Sequence, residues 1–242
     1  MNKKVTIVGM IYKSVSYLDF MLRGLKEYCL DSKQYDVNYL IVANDATAEV
    51  LQKLKRDNIN HVVYEDPKSN DYYMNRTYRA WNFGGKSASG EIIVFINSDM
   101  AFTPLWLENN LRHLSPSTIP CSLLVESGKL RSGQYAISKD FGRHPSSFQE
   151  KNFLEYAESI KKSSVSLGGL FMPCSFYKKD FVDSGGYPEG NIYEKGVGAY
   201  GSKYLQSGDD YFFNNNTIMR KKKHITVFDS IVYHIQEGEL DV

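Results

Sequence analysis

The N-terminal part of this chain alternates short apolar runs with amphipathic helical stretches, and nothing else in the sequence constrains the fold as tightly. Val5 to Ile11 is an apolar run of strand type, and Leu18, Met21, Leu22 and Leu25 follow at helical spacing. Tyr39 to Ala43 repeats the strand signal. Asn44 to Thr47 reads as a turn, and Val50, Leu51 and Leu54 mark a short helix before a strand around Val62 to Tyr64. A polar loop from Glu65 to Asn75 leads into a helix through Tyr78, Trp81 and Ala88, which Gly90 ends ahead of the strand Ile92 to Ile96. This alternation predicts an α/β fold with a mostly parallel sheet flanked by helices. In such sheets ligands bind beyond the carboxyl ends of the strands, so Tyr12, Asp45 and Asp99, each just past a strand, are expected to converge on one crevice.

Beyond Thr103 the pattern loosens. A helix is expected through Leu107, Leu111 and Leu114, a strand at Ser122 to Val125, a helix through Phe153, Ala157 and Ile160, and a last strand from Ile225 to Tyr233 that ends at His234. At 242 residues the chain is long for one domain and short for two, so a single decorated domain over residues 1–242 is the expectation. Lys and Arg number 29 against 28 for Asp and Glu, which gives no footprint for nucleic acid or an anionic membrane surface. No apolar run reaches the roughly 20 residues of a membrane span. Cys29, Cys121 and Cys174 lie far apart without a CxxC, which suits core thiols and a reducing compartment. A cytoplasmic chain, with peripheral membrane association left open, is therefore expected; oligomeric state is not legible.

Several segments, taken in order, resemble the inverting family 2 glycosyltransferases of the GT-A fold. They are the turn Ile11-Tyr12-Lys13, Ala43-Asn44-Asp45-Ala46-Thr47, Ala80-Trp81-Asn82-Phe83-Gly84, Gly90-Glu91-Ile92-Ile93-Val94-Phe95, Asn97-Ser98-Asp99-Met100, Gly185-Gly186-Tyr187-Pro188-Glu189 and Gly208-Asp209-Asp210. The resemblance spans Val5 to His234. It implies a nucleotide-sugar-binding half over about residues 1–103 and an acceptor-binding, catalytic half over about 104–242. It departs from the family pattern where Asn44, Asn97 and Met100 replace acids and where Trp81 replaces an arginine.

The resemblance also implies roles. Asp45 looks like the acceptor for a base N–H, with Tyr12 stacking on the base, which favours a UDP-sugar over other carriers. Ser98 and Asp99 face the donor, and Arg76 and Arg79 flank it within reach of a pyrophosphate. Asp99 is the first candidate ligand for a divalent metal that stabilises the diphosphate leaving group, and His234 resembles the later histidine of the metal site. Imidazole favours Mn²⁺ over Mg²⁺. Asp209 matches the general base that takes the acceptor hydroxyl's proton, with Asp210 in reserve. The implied reaction is inverting transfer of a sugar to a glycan, lipid-linked or small hydroxyl acceptor. The alternative is a protein of the same fold that binds nucleotide sugar with little or no turnover.

Plainer readings stand beside these. Asp99 could cap the following helix, Asp209 and Asp210 could complement a helix dipole, and Gly185-Gly186 could serve only a tight turn. His61, His113, His144 and His224 read as surface or core residues. Ala80 to Ser87 nearly matches a phosphate-binding P-loop, but it lies within a helix, whereas a P-loop must follow a strand and open one.

Overall fold

The computed structural model describes residues 2–68, 73–128, 134–169, 172–188, 208–236 and 238–239, with residues 208–211 described by backbone alone. The chain begins β1 (Lys3–Ile11), α1 (Val15–Tyr28), β2 (Tyr35–Asn44), α2 (Ala48–Arg56), β3 (His61–Tyr64), α3 (Tyr73–Ser87) and β4 (Ile92–Ile96). It continues through β5 (Met100–Phe102), α4 (Trp106–Leu111), β6 (Thr118–Glu126), β7 (Ile137–Ser138), α5 (Glu150–Ile160), β8 (Val165–Leu167), β9 (Cys174–Tyr177), α6 (Lys178–Asp183), α7 (Gly208–Asn215) and β10 (Lys223–His234). Among the described residues these strands form one sheet in the order β3-β2-β1-β4-β9-β6-β10-β5, with β7 beside β6 and β8 beside β10.

The first four strands of that order are parallel to their neighbours, as the alternation predicts. β9 then runs antiparallel to both β4 and β6, while β10 is parallel to β6 and antiparallel to β5. The sheet is thus mixed and mostly parallel. β1 has β2 on one side and β4 on the other, so chain order reverses there and opens a crevice at the carboxyl ends of β1 and β4.

Sequence explains the packing. α1 starts at Ser14, whose side chain accepts from Tyr17 N, and lays the buried Leu18, Met21, Leu22 and Leu25 toward the core. Each such side chain contributes roughly 1.5–3 kcal/mol when fully buried, so a charged residue at Leu18 would undock the helix. α3 lies close on the sheet because Gly84 has no side chain: a Cβ there would sit 2.5 Å from Val42 Cγ2 and 2.8 Å from Val8 Cγ1. β2 begins at Tyr35, earlier than the apolar run at Tyr39 suggests, because Tyr35 to Asn38 pair with Lys3 to Thr6 while remaining partly exposed. β5, β8 and β9 are strands of three or four residues, too short for a periodic signal. All three cysteines are buried and free. No helix of the described residues is long and apolar enough to cross a membrane.

Candidate active site

The crevice is built from strand ends. Tyr12, Lys13 and Ser14 follow β1, Asp45 follows β2, and Ser98 and Asp99 follow β4. Asp45 holds a left-handed backbone, φ 46°, and its N–H donates to Tyr64 O at 2.9 Å. Its Oδ1 accepts from Asp66 N at 2.9 Å, and its Oδ2 pairs with Arg76 of α3. Arg76 Nε is buried without a hydrogen-bond partner among the described residues. An acceptor and a donor thus stand side by side at this end of the crevice. Thr47 N donates to Tyr12 O at 3.3 Å, which ties the loops after β1 and β2 together, and Lys13 Nζ lies 4.7 Å from the Tyr12 ring centroid.

At the other end, sheet register makes the geometry. His234, the last residue of β10, pairs with Glu126 of β6 on one side and Met100 of β5 on the other. Asp99 immediately precedes Met100, so its Oδ2 lies 3.3 Å from His234 Nε2, while Glu126 Oε1 lies 3.3 Å from His234 Nδ1. Burial opposes a charged ring, yet the carboxylates of Asp99 and Glu126 outweigh it and push the His234 pKa up to about 10. Burial likewise opposes the Asp99 carboxylate, but His234 and backbone N–H groups, that of Gln236 among them, hold its pKa below the usual range. Gln236 N donates to Asp99 Oδ2 at 3.1 Å, and Ile235 N donates to Asp99 O at 3.0 Å.

Two donors on one hard cation, with bonds near 2.1 Å meeting at about a right angle, lie ~3 Å apart. Asp99 Oδ2 and His234 Nε2 match that spacing, and a cation entering there would displace the Nε2 proton that Asp99 accepts. Among the described residues no group of three His, Cys, Asp or Glu side chains is placed to hold an ion, so a metal here would take its remaining ligands from phosphate and water.

The other expected site residues divide. Arg79 is buried, and its guanidinium grips Asp66 through Nε–Oδ2 at 2.8 Å and Nη2–Oδ1 at 3.0 Å. The expectation that Arg79 reaches a pyrophosphate does not follow from this placement; it braces the loop after β3. Asp209 and Asp210 lie in the first turn of α7, and their side chains fall outside the described residues. Asn82 accepts from Tyr187 N at 2.7 Å and donates to Tyr187 O at 2.8 Å. A Cβ on Gly186, φ 84°, would sit 2.3 Å from Asn82 Oδ1, so the second glycine is what lets this loop close on α3.

Two acids escaped sequence reasoning. Glu126 is buried at the end of an apolar strand, a signal that gains meaning only once β10 lies beside it. Glu239 follows β10 and reaches back to the crevice, accepting from Tyr12 N at 3.0 Å, Lys13 N at 2.6 Å, Ser14 N at 2.7 Å and Ser98 Oγ at 2.9 Å. A surface cavity of about 500 Å³ lined by Asp19, Arg23, Lys26, Tyr39 and Asp57 holds none of these groups and lies away from the chemistry.

The family model described as Glycosyl transferase family 2 matches residues 6–181. The match stops short of Asp209, Asp210 and His234. No curated protein sequence matches the chain. Among solved structures, the mannosyltransferase PcManGT from Pyrobaculum calidifontis, in complex with GDP-Man and Mn²⁺, superposes with a TM-score of 0.59 at 14% identity, over 97% of this chain and 57% of that one. S. aureus TarS 1-349 in complex with UDP-GlcNAc gives a TM-score of 0.58 at 15% identity, over 98% of this chain and 62% of that one. At such identities the likeness is one of fold, and this chain spans about three fifths of the length of either.

Proposed function

Because the chain belongs to glycosyl transferase family 2, we propose that it transfers a sugar, with inversion, from a nucleoside diphosphate donor to a hydroxyl of a glycan, lipid-linked or small acceptor. The observation that carries this reading is the facing pair Asp99 Oδ2 and His234 Nε2, 3.3 Å apart beside the β1/β4 crevice. Asp99 and His234 would hold a divalent cation there, Mn²⁺ favoured over Mg²⁺, and it would supply Lewis-acid stabilisation of the departing diphosphate. Glu126 keeps the imidazole oriented through Nδ1, a carboxylate–histidine arrangement common around metals.

Base selection falls to Asp45 and Arg76. Uracil presents N3–H beside a carbonyl oxygen, and a carboxylate next to a guanidinium complements that pattern; each Asp45 oxygen keeps a second lone pair. Guanine and thymine show the same N–H and C=O edge, whereas adenine and cytosine do not. A uridine nucleotide is favoured, with Tyr12 against the base. Asp209 is proposed as the general base, with Asp210 as its reserve.

Isothermal titration of UDP, GDP, ADP and CDP with Mn²⁺ and with excess chelator tests the donor reading. UDP or GDP should bind more tightly than ADP or CDP, and chelation should weaken binding; equal affinity for all four, or indifference to chelation, overturns it. The alternative of binding with little or no turnover draws on Asn97 and Met100, which leave fewer carboxylates past β4. Donor hydrolysis or transfer at any acceptor decides between the two.

A further inference from the structure

Glu239, beyond β10, places its carboxylate inside the crevice, and its setting is specific. Three consecutive backbone N–H groups, Tyr12, Lys13 and Ser14, converge on its carboxylate at 2.6–3.0 Å, and Ser98 Oγ donates to it at 2.9 Å. Successive N–H groups of this kind form a concave anion-binding nest. The donors come from the loops after β1 and β4, the two strands between which chain order reverses, so the carboxylate fills the middle of the crevice. Left-handed backbone at Gln236, φ 66°, and Gly238, φ 63°, turns the chain back to put it there.

We propose that Glu239 is an intramolecular competitor of the donor: it occupies Tyr12, Lys13, Ser14 and Ser98 in the donor-free protein and leaves when nucleotide binds. The proposal rests on the donor reading above, since Tyr12 and Ser98 are among the contacts assigned to the nucleotide. The carboxylate has four acceptor positions and meets four donors, so it has little capacity left to hold a ligand itself. A tethered group also acts at an effective concentration on the order of millimolar, enough to fill a weak site without help. Occupancy of the closed arrangement lowers apparent donor affinity by the fraction of molecules that remain open.

The test is nucleotide diphosphate titration into the wild type, Glu239→Ala and Glu239→Gln, with amide exchange at Lys13 and Ser14 measured in parallel. If about nine molecules in ten are closed, removing the carboxylate tightens binding about tenfold. The Gln variant should fall between the other two. Lys13 and Ser14 amides should exchange faster in the Ala variant than in the wild type before nucleotide is added, and should regain protection with it. Equal or weaker nucleotide binding in Glu239→Ala overturns the competition and leaves the donor reading standing, because Glu239 would then be a brace of the site. Failure of every variant and the wild type to bind any nucleotide diphosphate overturns the donor reading and the competition together.

Discussion

The β3-β2-β1-β4 side of the sheet and the β9-β6-β10-β5 side place their site residues by different means. On the first side every strand is parallel to its neighbour, and each of Tyr12, Asp45 and Ser98 sits where a strand hands over to the next segment. Position follows from a repeated local unit. On the second side parallel and antiparallel neighbours alternate, and His234 meets Glu126 and Asp99 only through cross-strand register over more than a hundred residues of separation. Residues proposed to bind the nucleotide are therefore set by local rules, whereas the Asp99–His234 end depends on long-range pairing.

The sharpest way to separate the two sides is chemical. Asp209→Asn keeps the shape of the proposed base and removes its proton acceptor, so turnover should fall about 10²- to 10⁴-fold with donor affinity nearly unchanged. Asp99→Asn should instead weaken metal-dependent donor binding. If Asp209→Asn kept near-wild-type transfer and Asp210→Asn lost it, the base would be Asp210; retention by both would remove the carboxylate base altogether.

Next in size is a break on the parallel side. Asp66→Ala breaks the buried pair with Arg79 and should cost roughly 3–5 kcal/mol, read from denaturant midpoints. A loss under 1 kcal/mol would show that the Asp66–Arg79 pair does not brace the loop after β3.

A smaller effect probes the mixed side. Tyr233 donates to Gly142 O at 2.7 Å and accepts from Phe141 N at 3.0 Å, so Tyr233→Phe strands a buried N–H and should cost about 1–3 kcal/mol. Burial pushes the Tyr233 pKa up to about 12 from 10.0. The folded state therefore keeps a proton that the unfolded chain sheds. This contribution is fully present below pH 10 and is lost as pH rises toward 12. Stability of the Phe variant should vary less across that window than the wild type's; parallel curves would contradict the assignment.

The least disruptive probe uses the thiols. Cys29, just after α1, accepts from Trp106 Nε1 of α4 at 3.2 Å and burial holds its thiol protonated well above the ordinary range, while Cys121 and Cys174 lie on β6 and β9. The native protein should show no accessible thiol to a disulfide reagent, and denaturant should release three. Loss of protection at Cys121 and Cys174 before Cys29 would show that β6 and β9 open before the contact between α1 and α4. Simultaneous release would make the sheet one cooperative unit.

Much of this was legible in the sequence, and the limits are physical. β1, β4 and the second half of β2 show as apolar runs because they are buried on both faces, while the edge strand β3 is only partly covered. β9, with Cys174 to Tyr177, is too short to stand out, yet it joins the two sides. Tyr12, Asp45 and Asp99 were marked by their place after strands. Glu126 and Glu239 were invisible because their partners are remote in sequence, and the pairing of Arg79 with Asp66 was not legible because a cation on a helix gives no sign of which acid it will face.

The double hydrogen bond from Asn82 to Tyr187 has a consequence for protein engineering. It gives the chain a fixed docking point on α3 just before residues 189–207, and Gly208 starts α7 on the far side of them. Exchange of residues 189–207 for the matching stretch of a relative would start from a fixed anchor at Tyr187 and end at the first residue of α7. Asn82→Ala would turn the same exchange into an unanchored insertion.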